Sequence, residues 1–130
     1  MKLSRSTGYA IAALGYIAQN TKEGPVVAKL IAEQRQIPLE YLLKILQQLV
    51  RAGLAQGIRG PQGGFRLRRD AGDITLLDII EALEGPFVAE PDLQQGPVPF
   101  QRRVNKTYLR AAREAAGVLA KTSLMDLIVR

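Results

Sequence analysis

Leu54-Ala-Gln-Gly-Ile-Arg-Gly-Pro-Gln-Gly-Gly-Phe-Arg-Leu67 follows directly on an amphipathic helical segment that stops at Gly53. The run predicts a β-hairpin. Two short apolar segments, Leu54 to Ile58 and Phe65 to Leu67, flank a tip of Gly60, Pro61, Gln62, Gly63 and Gly64, residue types that turns favour for their backbone freedom or fixed φ. Arg59 stands at the edge of that tip, and Arg66, Arg68 and Arg69 follow it. A thin cationic ribbon beside a helix suits a DNA groove, where guanidinium groups meet the negative potential of the phosphates. A surface hairpin with merely solvated arginines has the same local pattern, so the neighbouring segments decide between the two.

Upstream, the spacing predicts three helices. Ser4 or Ser6 caps the first, which runs to about Asn20 with Tyr9, Ala13 and Ile17 beside Ala10 and Leu14. Lys22 to Pro25 forms a turn, and Val27 to Gln34 a short helix with Val27, Leu30 and Ile31 on one side. Pro38, favoured at a first helical position, opens a third helix reaching Ala52. At 100° per residue its Leu39, Leu42, Leu43, Ile45, Leu46, Leu49 and Val50 fall within an arc of roughly 160°. Glu40, Lys44, Gln47, Gln48 and Arg51 occupy the other side, with Tyr41 near the boundary, so that long hydrogen-bonding side chains are offered to base edges and phosphates. Many surface helices look like this. Short helix, tight turn, longer helix and then hairpin is, however, the order of a winged helix-turn-helix domain, whose third helix enters the major groove while the wing reaches a neighbouring minor groove or the backbone.

Charge is divided in the same way. Residues 1–73 hold eleven Lys/Arg and five Asp/Glu, net +6, whereas residues 74–130 hold seven of each. A basic half joined to a neutral half points to one part that meets a polyanion. The 130 residues suffice for one domain with an appended dimerisation element, and a 47% hydrophobic content supports a core. No stretch approaches the ~20 apolar residues that span a bilayer. Lys2 and Arg5 ahead of the uncharged run Gly8 to Ala18 loosely resemble a signal peptide, but no small-x-small pair precedes Gln19, and a buried first helix in a cytoplasmic protein is the better reading. With neither cysteine nor histidine, disulfides, thiolate clusters, the usual zinc sites and Cys/His nucleophile pairs are excluded. The glycine-rich tip lacks the Lys-Ser/Thr of a P-loop and no convergent acid–base set is visible, so an enzyme is not expected.

These segments resemble the Rrf-two family of bacterial transcription factors, the one that includes IscR, NsrR and CymR. The resemblance is carried by Met-Lys-Leu-Ser-Arg-Ser-Thr-Gly-Tyr-Ala at residues 1–10, Ile37-Pro-Leu-Glu-Tyr-Leu-Leu-Lys-Ile-Leu46, Ala52-Gly-Leu54, the wing Ile58 to Leu67, and Ile74-Thr-Leu-Leu-Asp-Ile-Ile-Glu-Ala-Leu-Glu84. It covers residues 1 to about 85 by motif and the rest by layout. It implies a homodimer on double-stranded DNA at an imperfect palindrome, with Ser4 and Arg5 near phosphate. On the recognition helix it implies contacts from Tyr41 and its neighbours Pro38, Leu39, Glu40, Lys44 and Gln48, and on the wing from Arg59, Gly60, Pro61, Gln62, Gly63 and Gly64. Two departures stand out. Family members that hold an iron–sulfur cluster use three cysteines in the loop after the fourth helix, where Gly85 to Phe100 has none and offers Glu90 and Asp92, poor matches for such clusters; the first-helix positions that serve some members hold Gly8 and Ala12. No cofactor is therefore expected. Leu43 stands where some relatives place a polar base-reading side chain.

Downstream, Thr75-Leu-Leu-Asp78 and Ser123-Leu-Met-Asp126 are capping-box starts of short helices. Between them, Gln101 to Thr122 predicts one helix of roughly 33 Å, with Val104, Tyr108, Ala111, Ala115, Val118 and Thr122 along one stripe and Arg103, Arg110, Arg113 and Glu114 opposite. Such a helix packs against its own domain and a partner chain. The expected organisation is a mainly α chain with a small β wing: a winged helix-turn-helix over 1–85, a loop over 86–100 at the family's cluster or effector position, and dimerisation and C-terminal helices over 101–130. The loop holds four of the seven prolines and is placed to transmit a small-molecule effector's binding to the spacing of two recognition helices, although a regulator with no switch fits equally well. The leading expectation is a sequence-specific regulator, most simply a repressor. A winged-helix protein-interaction module and a non-specific nucleoid-binding protein are the alternatives.

Overall fold

The computed structural model describes residues 2–128. Helix α1 (Arg5–Gln19) begins where Ser4, with extended backbone, accepts a hydrogen bond on Oγ from the Thr7 backbone N–H, so Ser4 rather than Ser6 is the cap. Its Ala10, Ala13, Leu14 and Ile17 are buried, as their helical spacing requires. Helix α2 (Ala28–Arg35) ends at Gln36, which takes a left-handed conformation, and Arg35 lies over the Tyr16 ring at 4.8 Å. Ile31 and Ala32 form the buried side of α2. Val27 and Leu30, expected to join Ile31 inside, are instead exposed. An eight-residue helix turns its apolar side through only about two turns, and here tertiary contacts chose the alanine row over the bulkier one.

Helix α3 (Leu39–Arg51) starts one residue later than expected because Pro38 serves as the extended N-cap. Leu42, Ile45, Leu46 and Leu49 are buried, an arc of about 100° rather than 160°. Leu39, Leu43 and Val50, expected in that apolar arc, are left on the surface. Strands β1 (Ala55–Ile58) and β2 (Gly64–Leu67) pair antiparallel, with Ala55 opposite Leu67 and Ile58 opposite Gly64. The wing tip is therefore Arg59 to Gly63. Gly64 belongs to β2, not to the tip. Val26 adds a third, single-residue rung, its N–H and C=O each meeting Phe65 at 2.8 Å. The Val26 carbonyl would lie 2.6 Å from any Cβ at Gly64, so this close backbone approach requires glycine.

After a 3-10 turn (Ala71–Asp73), helix α4 (Leu76–Glu84) starts in a complete capping box: Thr75 Oγ1 accepts from the Asp78 N–H and Asp78 Oδ2 accepts from the Thr75 N–H, both at 3.0 Å. Helix α5 (Val98–Ala120) absorbs Val98, Pro99 and Phe100, placed in the loop by sequence, because proline is compatible with a first helical turn. Its 23 residues span about 34 Å. Helix α6 (Leu124–Ile128) is capped by Ser123 and Asp126 through the second capping box. The two boxes, distant in sequence, adjoin in space: Thr75 and Ser123 form an isolated bridge, with the Leu76 N–H on Thr122 O at 2.9 Å and the Leu124 N–H on Ile74 O at 2.7 Å. Leu124 is thereby buried in the same core as Leu14, Leu46 and Ile79. The C-terminal helix, grouped by sequence with the dimerisation segment, packs on the winged-helix unit instead. Sequence gives no hint of this bridge, since a one-residue pairing leaves no periodicity.

Candidate nucleic-acid interface

The amino ends of α1 and α3 are joined side chain to side chain. Ser6 Oγ and Tyr41 Oη share a hydrogen bond of 2.6 Å, and the Tyr9 and Tyr41 rings meet edge to face with centroids 5.6 Å apart. Tyr41 is thus exposed yet held on one flank, and oriented before any ligand arrives. On the same helix Leu39, Glu40, Leu43, Lys44 and Arg51 are exposed, as is the wing arginine Arg59. Gln48, one turn beyond Lys44, is half-buried and its neighbour Gln47 is exposed, whereas Pro38, also exposed, contributes the extended entry into the helix.

Positive charge on this half is almost wholly uncompensated. Among the described residues only two ion pairs form, Arg69–Asp78 at 3.8 Å and Arg110–Glu114 at 3.3 Å, and both involve residues outside the wing tip and α3. Arg66 lies across the wing, its Nε donating to Gln56 Oε1 at 3.2 Å, which stiffens the ribbon below the tip. Arg5, Lys44, Arg51 and Arg59 remain without an acidic partner among the described residues. An uncompensated set of cations on one half of a small protein is the electrostatic footprint of polyanion binding.

The tip is held by the Gly63 N–H donating to Gly60 O at 2.9 Å, with Pro61 at the second turn position. A Cβ on Gly63 would run into the Ile58 carbonyl and lie 2.8 Å from the Gly60 carbonyl. Gly60, Pro61, Gln62 and Gly63 therefore make a slim tip beside Arg59. Gly64, expected among the DNA contacts, stands in β2 with the position of a Cβ against the Val26 backbone.

Ser4 is also placed differently from expectation. Its hydroxyl donates to Glu84 Oε2 at 3.0 Å, and the buried Thr7 hydroxyl donates to the same oxygen at 2.7 Å. A carboxylate from the end of α4 thus occupies the amino end of α1, where the helix dipole favours an anion. The Ser4 side chain is committed within the protein, and Arg5 beside it is exposed. This network joins residues about eighty apart and has no sequence signature; the nearest signal is Ser4-x-x-Thr7 itself.

A second feature adjoins Glu84 on α4. Leu3, Ile80, Phe87, Tyr108, Ala111 and Ala115 line an open, mostly apolar groove of about 800 Å³ between α4 and α5. Three of the six residues in the stripe expected for α5 are there. Helix α5 has no buried residue, and Tyr108 and Val118 are 68% and 67% exposed.

The chain matches, over residues 3–130, the family described as Rrf2, iron-dependent transcriptional regulator. It is 37% identical to Protein aau3 of Rhizobium meliloti across 98% of this chain and 85% of that relative. It is 38% identical to the HTH-type transcriptional regulator IscR of Xenorhabdus nematophila, where the match takes in 65% of this chain and about half, 51%, of the relative. Among solved structures, CymR, the global cysteine regulator of B. subtilis, superposes with a TM-score of 0.83 at 31% identity, covering 98% of this chain and 96% of that one. IscR of T. potens gives 0.78 at 30% identity, covering 98% and 86%. The iron dependence in the family's description finds no matching donor set here: the sequence has no cysteine or histidine, and among the described residues no three acidic groups converge as a metal site would require. Also among the described residues, no helix is long and apolar enough to cross a membrane. A winged wedge of helices, a cationic slim-tipped hairpin and matches along the whole chain lead to one assignment: the chain belongs to the Rrf2 family, DNA-binding transcriptional regulators rather than enzymes.

Proposed function

We propose that the protein is a homodimeric repressor that recognises a palindromic operator without a metal cluster. The observation that carries this reading is the exposed face of α3, with Glu40, Lys44, Gln47 and Arg51 outward, Gln48 half-buried beside them and Tyr41 fixed by Ser6, on the half of the chain whose cations, Arg69 excepted, form no ion pair among the described residues. In this reading α3 lies in the major groove, with Pro38, Leu39, Glu40, Tyr41, Lys44 and Gln48 along it. Arg59 and the Gly60 to Gly63 tip enter the adjoining minor groove. Arg5 approaches a phosphate through its side chain, while Ser4 acts by holding the helix end it caps. The unburied α5 and its apolar groove support a second copy of the chain as partner, since a two-fold dimer presents two recognition helices to two half-sites. Operator occupancy then blocks transcription. A small-molecule effector acts, in this reading, at the 85–97 connection, through the spacing of the two α3 helices.

The test is retention of fragmented DNA from the source genome by the purified protein at low and near-physiological salt, followed by sequencing. A shared two-fold symmetric site surviving the higher salt supports the proposal. Retention without a common site, lost as salt rises, points to phosphate neutralisation alone. No retention at either salt points to a winged-helix module for a protein partner, and in that case Arg59→Ala has no bearing on DNA.

A further inference from the structure

We infer that Leu39 and Leu43 are specificity-determining residues that read thymine methyl groups in the operator. The inference rests on α3 being the recognition helix. At the amino end of α3, nearest the bases in such a docking, five side chains are exposed: Leu39, Glu40, Tyr41, Leu43 and Lys44. The Tyr41 hydroxyl is already engaged by Ser6. Two of the remaining four are aliphatic, 40% and 41% exposed, and lie one helical turn apart on one side of the helix. A single exposed leucine is ordinary. A pair at this position, beside Lys44 and on the uncompensated cationic half, faces a polyanion whose major groove offers one chief apolar feature, the C5-methyl of thymine.

Spacing makes the inference specific. Four residues of α-helix advance about 6 Å, and successive base pairs lie about 3.4 Å apart along one strand. Leu39 and Leu43 therefore match two methyl groups one to two base pairs apart. Glu40, between them in sequence, is a carboxylate acceptor, which suits the amino group of a cytosine in the same half-site. Side chains that make no hydrogen bonds discriminate through the methyl alone, so the half-site carries thymines at two places where hydrogen-bond readout is silent.

The experiment uses the tightest-binding duplex selected from genomic fragments by the full chain, resynthesised with uracil replacing thymine at each half-site position in turn. Uracil keeps every hydrogen-bonding group and removes only the methyl. Two positions, one to two base pairs apart, are expected to lose about fourfold in affinity each, the worth of one buried methyl-sized group. Leu39→Ala abolishes the penalty at one position and Leu43→Ala at the other, while Leu43→Met retains it; both sites are exposed, and unchanged thermal midpoints of the three variants confirm folding. Specific binding with no uracil penalty overturns the inference and leaves the operator reading intact. A specific duplex whose affinity is unaltered by Lys44→Ala, Gln48→Ala and both leucine changes overturns the recognition-helix reading as well.

Discussion

Helix α3 and helix α5 are both long and amphipathic, yet α3 buries four large aliphatic side chains completely while α5, nearly twice its length, buries none. The difference shows which parts of the fold one chain completes by itself. The unit from α1 to α4, closed by α6, owns an apolar core in which Leu14, Leu42, Leu46, Leu49, Ile79 and Leu124 are essentially inaccessible. Helix α5 meets that unit along α4 and at its carboxyl end, yet its stripe is only half-buried at Val104 and Ala115 and exposed at Tyr108, Ala111 and Val118. Nothing among the described residues buries it as the core buries α3.

The widest effect is expected in the finished region: Leu46→Ala should destabilise folding by about 2–5 kcal/mol, read as a fall in the midpoint of chemical denaturation. The same truncation at an α5 position, Val118→Ala, should scarcely move that midpoint under conditions where the chain is monomeric. Second in size, Tyr108→Asp should weaken self-association by about 2 kcal/mol or more with an unchanged helical signal, measured by sedimentation over a range of concentrations. A wild-type chain that stays monomeric at high concentration breaks the comparison. Gly63→Ala should lower operator affinity about tenfold, equivalent to about 1.4 kcal/mol, by forcing the wing tip off the Ile58 carbonyl while the core midpoint holds. Thr75→Ala removes a cap worth about 1 kcal/mol. Ser123→Ala should cost a similar amount, and the double change should depart from additivity because the two caps adjoin. Smallest of all, Glu114→Gln breaks an exposed ion pair on α5 and should alter stability by at most about 0.5 kcal/mol.

Legibility in the sequence followed the range of the interactions. Capping boxes, the wing and the course of α3 depend on residues within a few positions of one another, and each was readable from spacing. What sequence could not supply were contacts made by single residues across the fold. The Val26–Phe65 rung, the Thr75–Ser123 bridge and the Glu84 carboxylate under Ser4 and Thr7 each involve one or two positions with no repeat to betray them. The same blindness explains Gly64, read as part of a flexible tip because glycines there looked alike. A side chain would meet open space at Gly60, the tip's own backbone at Gly63 and the Val26 backbone at Gly64. Leu39 and Leu43 show a different limit: hydrophobic periodicity assigned them to the core side, whereas the packed arc is narrower than the apolar arc. The surplus is left for something other than stability.

The bridge between Thr75 and Ser123 turns residues 76–122 into an excursion that departs from and returns to one point. Whatever happens along that excursion, its two feet stay together, in the manner of a handle fixed to a drawer. Length and chemistry in the 85–97 segment can then differ without moving the feet, so a loop with no cysteine is compatible with the same frame for the winged-helix unit. The Thr75 foot also continues through α4 to Glu84 at its other end, and from there by hydrogen bonds to Ser4 and Thr7 at the first turn of α1.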